Sequence, residues 1–377
     1  MAISVSSISI NVVNLGANSN GGTDSSKAFL KAWESACSSS GSSTISVPSG
    51  RYLISSPVEF SGDDCKASAI TFRIDGTLVA PANYLELANN ANWIMFQRTN
   101  RVSIFGGTLD ARGSGLWACK NGGGDCPSGA TSLQFTNSNN VLVSGLTSLN
   151  SQMFHIVVHG CNNVKLEGTK VTAIEDSPNT DGIHISQSSN VRVMNSKIGT
   201  GDDCVSIGPG STNLWVQNIT CGPGHGISIG SLGRDSNEPG VQNITVSTAK
   251  FTGTQNGVRI KTWAKPSTGF VKDVMFQHLT MDDVQNPVII DQHYCNGKKN
   301  CPDLGSGIKV SDVTYQDIRG TSASKVAVTF DCNKEKPCSG IKMRGVSVKH
   351  GDSKAAVKSE CANVVGVSIA GAGCNSN

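Results

Sequence analysis

The chain has 377 residues, with 31 Lys and Arg against 28 Asp and Glu, 42 Gly and few aromatics. A formal charge of +3, with its cations scattered along the chain, gives no basis for nucleic-acid binding, although it would not repel an acidic polymer. Short Val- and Ile-rich runs alternate with Asn, Ser and Gly, which excludes a helical bundle and predicts many short strands joined by turns.

Residues 1–7 contain neither a basic segment nor a sustained apolar one, so no signal peptide is visible and the chain reads as a mature form with an added Met. No apolar run approaches the roughly 20 residues that span a bilayer, and a soluble protein without a membrane partner is expected. Residues 23–37 open with capping side chains and set Phe29, Leu30 and Trp33 at helical spacing. That predicts a helix covering the open end of a repeat core, with an interaction role for its aromatic stripe as the alternative. Residues 111–130, rich in Gly and holding Cys119 and Cys126, read as a loop inserted between coils and bordering a cleft.

Beyond this point the chain repeats. Asn140, Asn163, Asn190, Asn213 and Asn243 each precede an alternating apolar run, at intervals of 23, 27, 23 and 30 residues. A period of roughly 20 to 50 residues marks a solenoid, propeller or array, and units of short strands without a helical stripe favour a parallel β-helix. The expectation is one all-β domain over residues 1–377. In such a coil the Asn residues stack at one corner and bond neighbouring backbones, while Val, Leu and Ile point alternately into the core.

A second repeat aligns residues 154–158, 181–185, 203–207, 225–229, 256–260 and 286–290. The third and fifth positions are apolar in every rung and should face inward, leaving the fourth outward. Spacings of 22 residues place Asp181, Asp203 and His225 in one column on consecutive rungs, roughly 5 Å apart. Simple parity buries that column, so the chain is expected to bend there, at Gly182, Gly201 and Gly226. Asp202, one residue earlier, takes the outward parity.

Three carboxylates this close cannot all ionise freely, and repulsion is expected to raise at least one pKa. One protonated acid beside ionised partners that activate water is what an inverting glycosidase requires. An Asp-rich turn or a calcium site is the alternative, although calcium asks for more oxygen ligands than this cluster offers. Arg259 and Lys261, two residues apart, share a face and suit a substrate carboxylate, Arg as a fork and Lys as a point charge. Alternatively they only neutralise the aspartates. Ser206, Gly208, Ser228 and Gly230 at the equivalent outward positions leave room for a sugar.

Thirteen cysteines indicate an oxidising compartment, and Cys119 with Cys126, Cys295 with Cys301, Cys332 with Cys338 and Cys361 with Cys374 lie close in sequence. None has the spacing of a zinc ribbon, so no metal is expected. Asn218-Ile-Thr and Asn243-Ile-Thr are glycosylation sequons that fit secretion.

The motifs Asn179-Thr-Asp181, Gly201-Asp-Asp203, Gly224-His-Gly226 and Arg259-Ile-Lys261, in this order, resemble the plant polygalacturonases of glycoside hydrolase family 28. The likeness runs from residue 11 to the last cysteines, and its general look is that of the pollen exo-acting group, which includes tree-pollen allergens. It implies a right-handed parallel β-helix and a secreted enzyme of the plant cell wall, expected to be monomeric and to need no cofactor. The implied reaction is inverting hydrolysis of α-1,4 galacturonosyl linkages in polygalacturonate. Carried over by residue, Asp202 resembles the general acid, Asp181 and Asp203 the pair that activates water, and His225 the histidine that supports the acid. Asn179 stands in the first of these motifs and is taken as substrate-binding. Arg259 and Lys261 match the substrate-carboxylate binders, and Tyr294 resembles a subsite tyrosine, or is packing. The family's pairing joins Cys204 to Cys221 and leaves Cys161 over; Cys37 is assigned to Cys65. Endo action, a catalytically idle wall-binding or allergenic β-helix, and a calcium-using pectate lyase are the competing functions.

Overall fold

The computed structural model describes residues 7–295, 301–351, 355–366, 368–369 and 374. The chain divides into two compact units, Met1–Ile183 and His184–Asn377, each made of stacked parallel coils.

In the first unit, Ile8–Asn11, Ser42–Val47, Ala69–Val79, Val102–Asp110, Asn139–Ser144 and Asn162–Glu167 pair in parallel succession. A second parallel series runs through Val58–Ser61, Asn92–Gln97, Thr131–Thr136 and Ile156–His159. The second unit repeats the scheme. One series comprises Ser189–Gly199, Thr212–Cys221, Val241–Thr252, Phe270–Val284, Lys309–Ser322 and Lys342–His350. The other comprises Val205–Ile207, Ile227–Leu232, Asn256–Trp263, Asn286–Tyr294, Val326–Asp331 and Lys358–Ala362.

Alternation explains why these segments are strands. In Ser189–Gly199, Val191, Val193 and Ile198 are fully buried while Arg192 and Lys197 are exposed, the period of two that a half-covered strand requires. At Asn195 the backbone turns through the left-handed region, with φ 53°, a conformation Asn tolerates because its short amide bonds locally.

Asn140, Asn163, Asn190, Asn213 and Asn243 share that conformation, and among the described residues they stack amide to amide. In the first unit Asn163 donates to Asn140 at 2.6 Å, and Asn140 to Asn100 at 2.8 Å. In the second, Asn243 donates to Asn213 at 2.7 Å, and Asn213 to Asn190 at 3.5 Å. A further stack, Asn218 onto Asn195, forms at another corner. Both sequon asparagines, Asn218 and Asn243, are therefore exposed ladder residues.

The capping helix is Ser26–Cys37, three residues shorter than expected because Asn20–Asp24 is drawn into a strand. Asp24 Oδ1 accepts from the Ser26 N–H, so it performs the capping. Phe29 and Trp33 are buried, and Trp33 packs against Phe60, Phe72 and Phe96, which removes the stripe from any interaction role. Burial of such rings stabilises by about 2–3 kcal/mol each. Residues 111–130 are not simply a loop. They contain a helix, Ser114–Asn121, seated by buried Leu116 and Trp117, whose indole N–H donates to the Ser151 carbonyl.

Six disulfides are present among the described residues: Cys37–Cys65, Cys119–Cys126, Cys204–Cys221, Cys295–Cys301, Cys332–Cys338 and Cys361–Cys374. Cys161 lies outside them, buried, and its thiol donates to the carbonyls of Phe135 and His159. Burial pushes that thiol up to about 11, so it stays protonated and inert. Among the described residues no helix is long and apolar enough to cross a membrane.

Candidate active site

In the second unit the rungs stand in the register read from the sequence. Val205, Ser206 and Ile207 pair with Ile227, Ser228 and Ile229, which pair with Val258, Arg259 and Ile260. The third and fifth positions are wholly buried, as their apolar side chains require. The fourth positions point away from that core yet are covered too: Ser206, Ser228 and Arg259 are all buried, because they pack into a polar cluster of their own.

Asp203 and His225 precede their strands, where the chain bends. Gly226 carries much of that bend, at φ +87°, and a Cβ there would lie 2.1 Å from the Asn256 carbonyl oxygen. The Cys204–Cys221 disulfide fixes the turn just after Asp203 to the strand ending three residues before Gly224.

Asp203 is 1% exposed and saturated with donors. Its Oδ1 accepts from Ser228 Oγ at 2.7 Å and from Arg259 at 3.0 Å, and its Oδ2 from Lys261 Nζ at 2.7 Å. Burial by itself would raise this carboxyl, but Lys261 and Arg259 outweigh it and hold the group below the usual carboxylate range. Asp203 is thus not a carboxylate whose pKa repulsion raises, because two cations face it. Lys261 is reciprocally held above its ordinary value: burial opposes its charge, and Asp203 restores it.

Asp202 differs from its neighbour. Its side chain is 19% exposed, and Oδ1 accepts from the Asp203 backbone N–H at 2.8 Å and lies 3.1 Å from His225 Nδ1. Among the described residues its Oδ2 makes no hydrogen bond. The partly exposed position follows from the outward parity of Asp202.

Tyr294 joins this cluster, its ring 5.3 Å from Lys261 Nζ and 5.9 Å from the Arg259 guanidinium. Its edge meets Trp263 with centroids 5.5 Å apart. Lys261 and Arg259 are therefore shared between a carboxylate and a π face, which immobilises both heads.

Asp181 and Asn179 belong to the first unit. Asp181 is buried, and its backbone carbonyl accepts from the His155 N–H at 2.9 Å. Asn179 is exposed at φ 60°, in a turn closed by Thr180 Oγ1 donating to the Ser177 carbonyl.

Three residues passed over as bare spacers or unremarked belong to this environment. Ser228 was expected only to leave room, but its hydroxyl links Arg259 Nε to Asp203. His184, at the fourth position of its rung, has Nδ1 2.8 Å from Ser206 Oγ. Asp291 pairs in register with Lys261 and next with Asp331. Its carboxyl is raised, by burial foremost and then by Asp331. The i, i+2 parity from Ile289 and the repeated Asp at Asp331 were the available signals for it.

Asp202, Asp203 and His225 bring ligand atoms within 4.8 Å of one another, the spacing of a cation site. Both Asp203 oxygens are already taken, and the charges of Arg259 and Lys261 oppose a further cation. The arrangement suits chemistry at an acid pair better than metal binding.

Residues 37–374 match the model of glycosyl hydrolases family 28. A polygalacturonase of Prunus persica is 56% identical over 362 residues, covering 96% of this chain and 91% of that protein. An exopolygalacturonase of Platanus acerifolia is 44% identical, covering 94% and 93%. The chain belongs to glycosyl hydrolases family 28. The solved endo-xylogalacturonan hydrolase of Aspergillus tubingensis superposes with a TM-score of 0.81 at 24% identity, covering 97% of this chain and 100% of that one. The polygalacturonase of Erwinia carotovora does so at 0.70, also at 24% identity, with 96% of each chain covered. The family 28 fold is the right-handed parallel β-helix, and this protein is a glycoside hydrolase of the polygalacturonase group.

Proposed function

We propose that the enzyme hydrolyses α-1,4 galacturonosyl linkages of polygalacturonate with inversion, releasing galacturonate from chain ends, as a secreted enzyme of the plant cell wall. The observation that carries this reading is the buried Asp203 clamped by Arg259 and Lys261 beside the half-open Asp202–His225 pair.

Asp202, with Oδ2 unengaged, is the group that protonates the glycosidic oxygen as the bond to C1 breaks. His225 holds its Oδ1 and so orients it. Asp203 draws a proton from water, whose oxygen attacks C1 from the opposite face. The motif order in the sequence assigns Asp181 the same duty. The inverting outcome rests on the family likeness, since the hydrogen bonds that Asp203 accepts from Ser228, Arg259 and Lys261 lower its nucleophilicity and its basicity alike. Arg259, Lys261 and Tyr294 form a cationic floor to which a uronate carboxylate is attracted, with Asn179 as a further substrate contact. Exo action draws its support from the Platanus relative. The 1–377 span is read as one catalytic domain and the protein as a monomer, glycosylated at Asn218 and Asn243.

The test is a time course on unesterified polygalacturonate followed by anomer-resolved NMR. Free galacturonate from the first minutes, appearing first as the β anomer, supports the reading. A ladder of oligomers would establish endo action, an α anomer retention, and unsaturated ultraviolet-absorbing products a lyase. Asp202→Asn should lower kcat by about 10²- to 10⁴-fold without unfolding the protein; unchanged turnover removes Asp202 from the acid role.

A further inference from the structure

Another face of the second unit carries a strip of outward side chains with Arg192 at one end and Lys342 and Arg344 at the other. Along the Ser189–Gly199 series, the outward positions between the left-handed corners form two columns in strict register. Arg192 stands beside Trp215 in the first column, which ends on the sixth rung at Lys342; the second ends at Arg344. None of the outward residues in these two columns is Asp or Glu. Asp273, Asp312 and Asp317 sit on the bordering corners, where Asp317 is already paired with Arg319 and His278.

Trp215 is the exposed one of five tryptophans, at 41%, where the other four are buried or half-buried. The Arg192 guanidinium lies 5.9 Å from its ring centre. Gln217, Gln277 and Gln316 line the neighbouring column, supplying amide donors and acceptors at alternating or adjacent rungs. Six rungs at about 4.8 Å make a flat strip about 24 Å long.

This chemistry has a particular partner. A flat indole presents a negative π face to the C–H bonds of a pyranose ring, amides suit hydroxyls, and a guanidinium fixed beside the ring suits a carboxylate. A long strip without acidic groups fits a polymer of uronic acids. We propose that it is a second binding site for acidic polysaccharide, an anchor distinct from the catalytic cluster, which lies on the other strand series. The proposal rests on polygalacturonate being the substrate.

The experiment uses unglycosylated Asp202→Asn protein in affinity electrophoresis through polygalacturonate, with trigalacturonate added to occupy the cleft. Retardation should persist, and adding Trp215→Ala with Arg192→Gln should weaken it at least about fivefold; equal retardation overturns the anchor. On the otherwise active enzyme the same pair of substitutions should leave kcat and KM for trigalacturonate unchanged and raise KM for the polymer. A parallel loss on trigalacturonate would place the damage in the cleft and also overturn it. Should Trp215→Ala fail to fold, Arg192→Glu alone must still weaken retardation. If protein glycosylated in a plant host loses the Trp215-dependent retardation, the chain's own glycan occupies the strip and the proposal is wrong. Turnover of trigalacturonate by the unsubstituted enzyme is measured alongside, so that absence of turnover marks failure of the substrate reading, and equal retardation marks failure of the anchor.

Discussion

Replacing Lys261 by Met removes one of two cations from the buried Asp203 while keeping most of the side-chain volume. At 2.7 Å and an effective dielectric of about 20, the attraction lost is about 6 kcal/mol. Part of this is offset, because an ammonium no longer has to be stripped of water, and because Arg259 and Ser228 still serve Oδ1. The expected net loss of stability is about 2–4 kcal/mol. The sign with pH follows from the direction of the Asp203 shift. Its folded pKa lies below the unfolded value, so its contribution is present above about pH 4 and is lost as pH falls through the folded pKa. In Lys261→Met the folded value rises, so both the stability loss and the acid limb of kcat/KM should move to higher pH. Urea unfolding at pH 4, 5 and 7, with a pH–rate profile, measures both, and Lys261→Arg should recover at least half of the stability. A loss under about 1 kcal/mol with an unmoved acid limb would refute the claim that Lys261 keeps Asp203 ionised.

His155 is buried with its Nε2 unpartnered, and burial lowers its pKa to about 3. Its neutral form therefore stabilises the fold above about pH 6.5, and stability should fall by up to about 1.4 kcal/mol per pH unit below that; urea midpoints for His155→Gln should show a flatter acid slope. Asp291 has the opposite sign, since a raised carboxyl costs stability as pH rises through its folded pKa. Asp291→Asn should thus gain stability relative to the parent between pH 4 and 7, seen as a growing difference in thermal midpoint. Loss of the Cys204–Cys221 bridge, which spans 17 residues, should cost about 3 kcal/mol; a Cys204→Ser, Cys221→Ser protein that unfolds at the parent's urea concentration would deny it a structural role.

Much of the fold was legible because its rules are local. The inward third and fifth positions of each rung follow from the two-residue period of a strand, and the Asn corners from the ease with which Asn enters the left-handed region. The helix at Ser114–Asn121 was not legible, since a short amphipathic run among glycines is held by the burial of Trp117 and not by propensity. The six cysteine pairs agree with the sequence expectation, but two of them came only through family likeness.

The sequence by itself determined the repeat, the register of Asp203 with His225, and the outward parity that sets Asp202 apart. Only the tertiary structure decided what those groups meet. Arg259 and Lys261, 56 and 58 residues along the chain, reach back over Ser228 to Asp203. Stacking of coils brings such residues within 3 Å, and the two cations then outweigh burial and hold Asp203 below the usual carboxylate range. The same repeat sets Arg192 beside Trp215, two residues after Asn190 and Asn213, but only the fold decides that both side chains stay exposed.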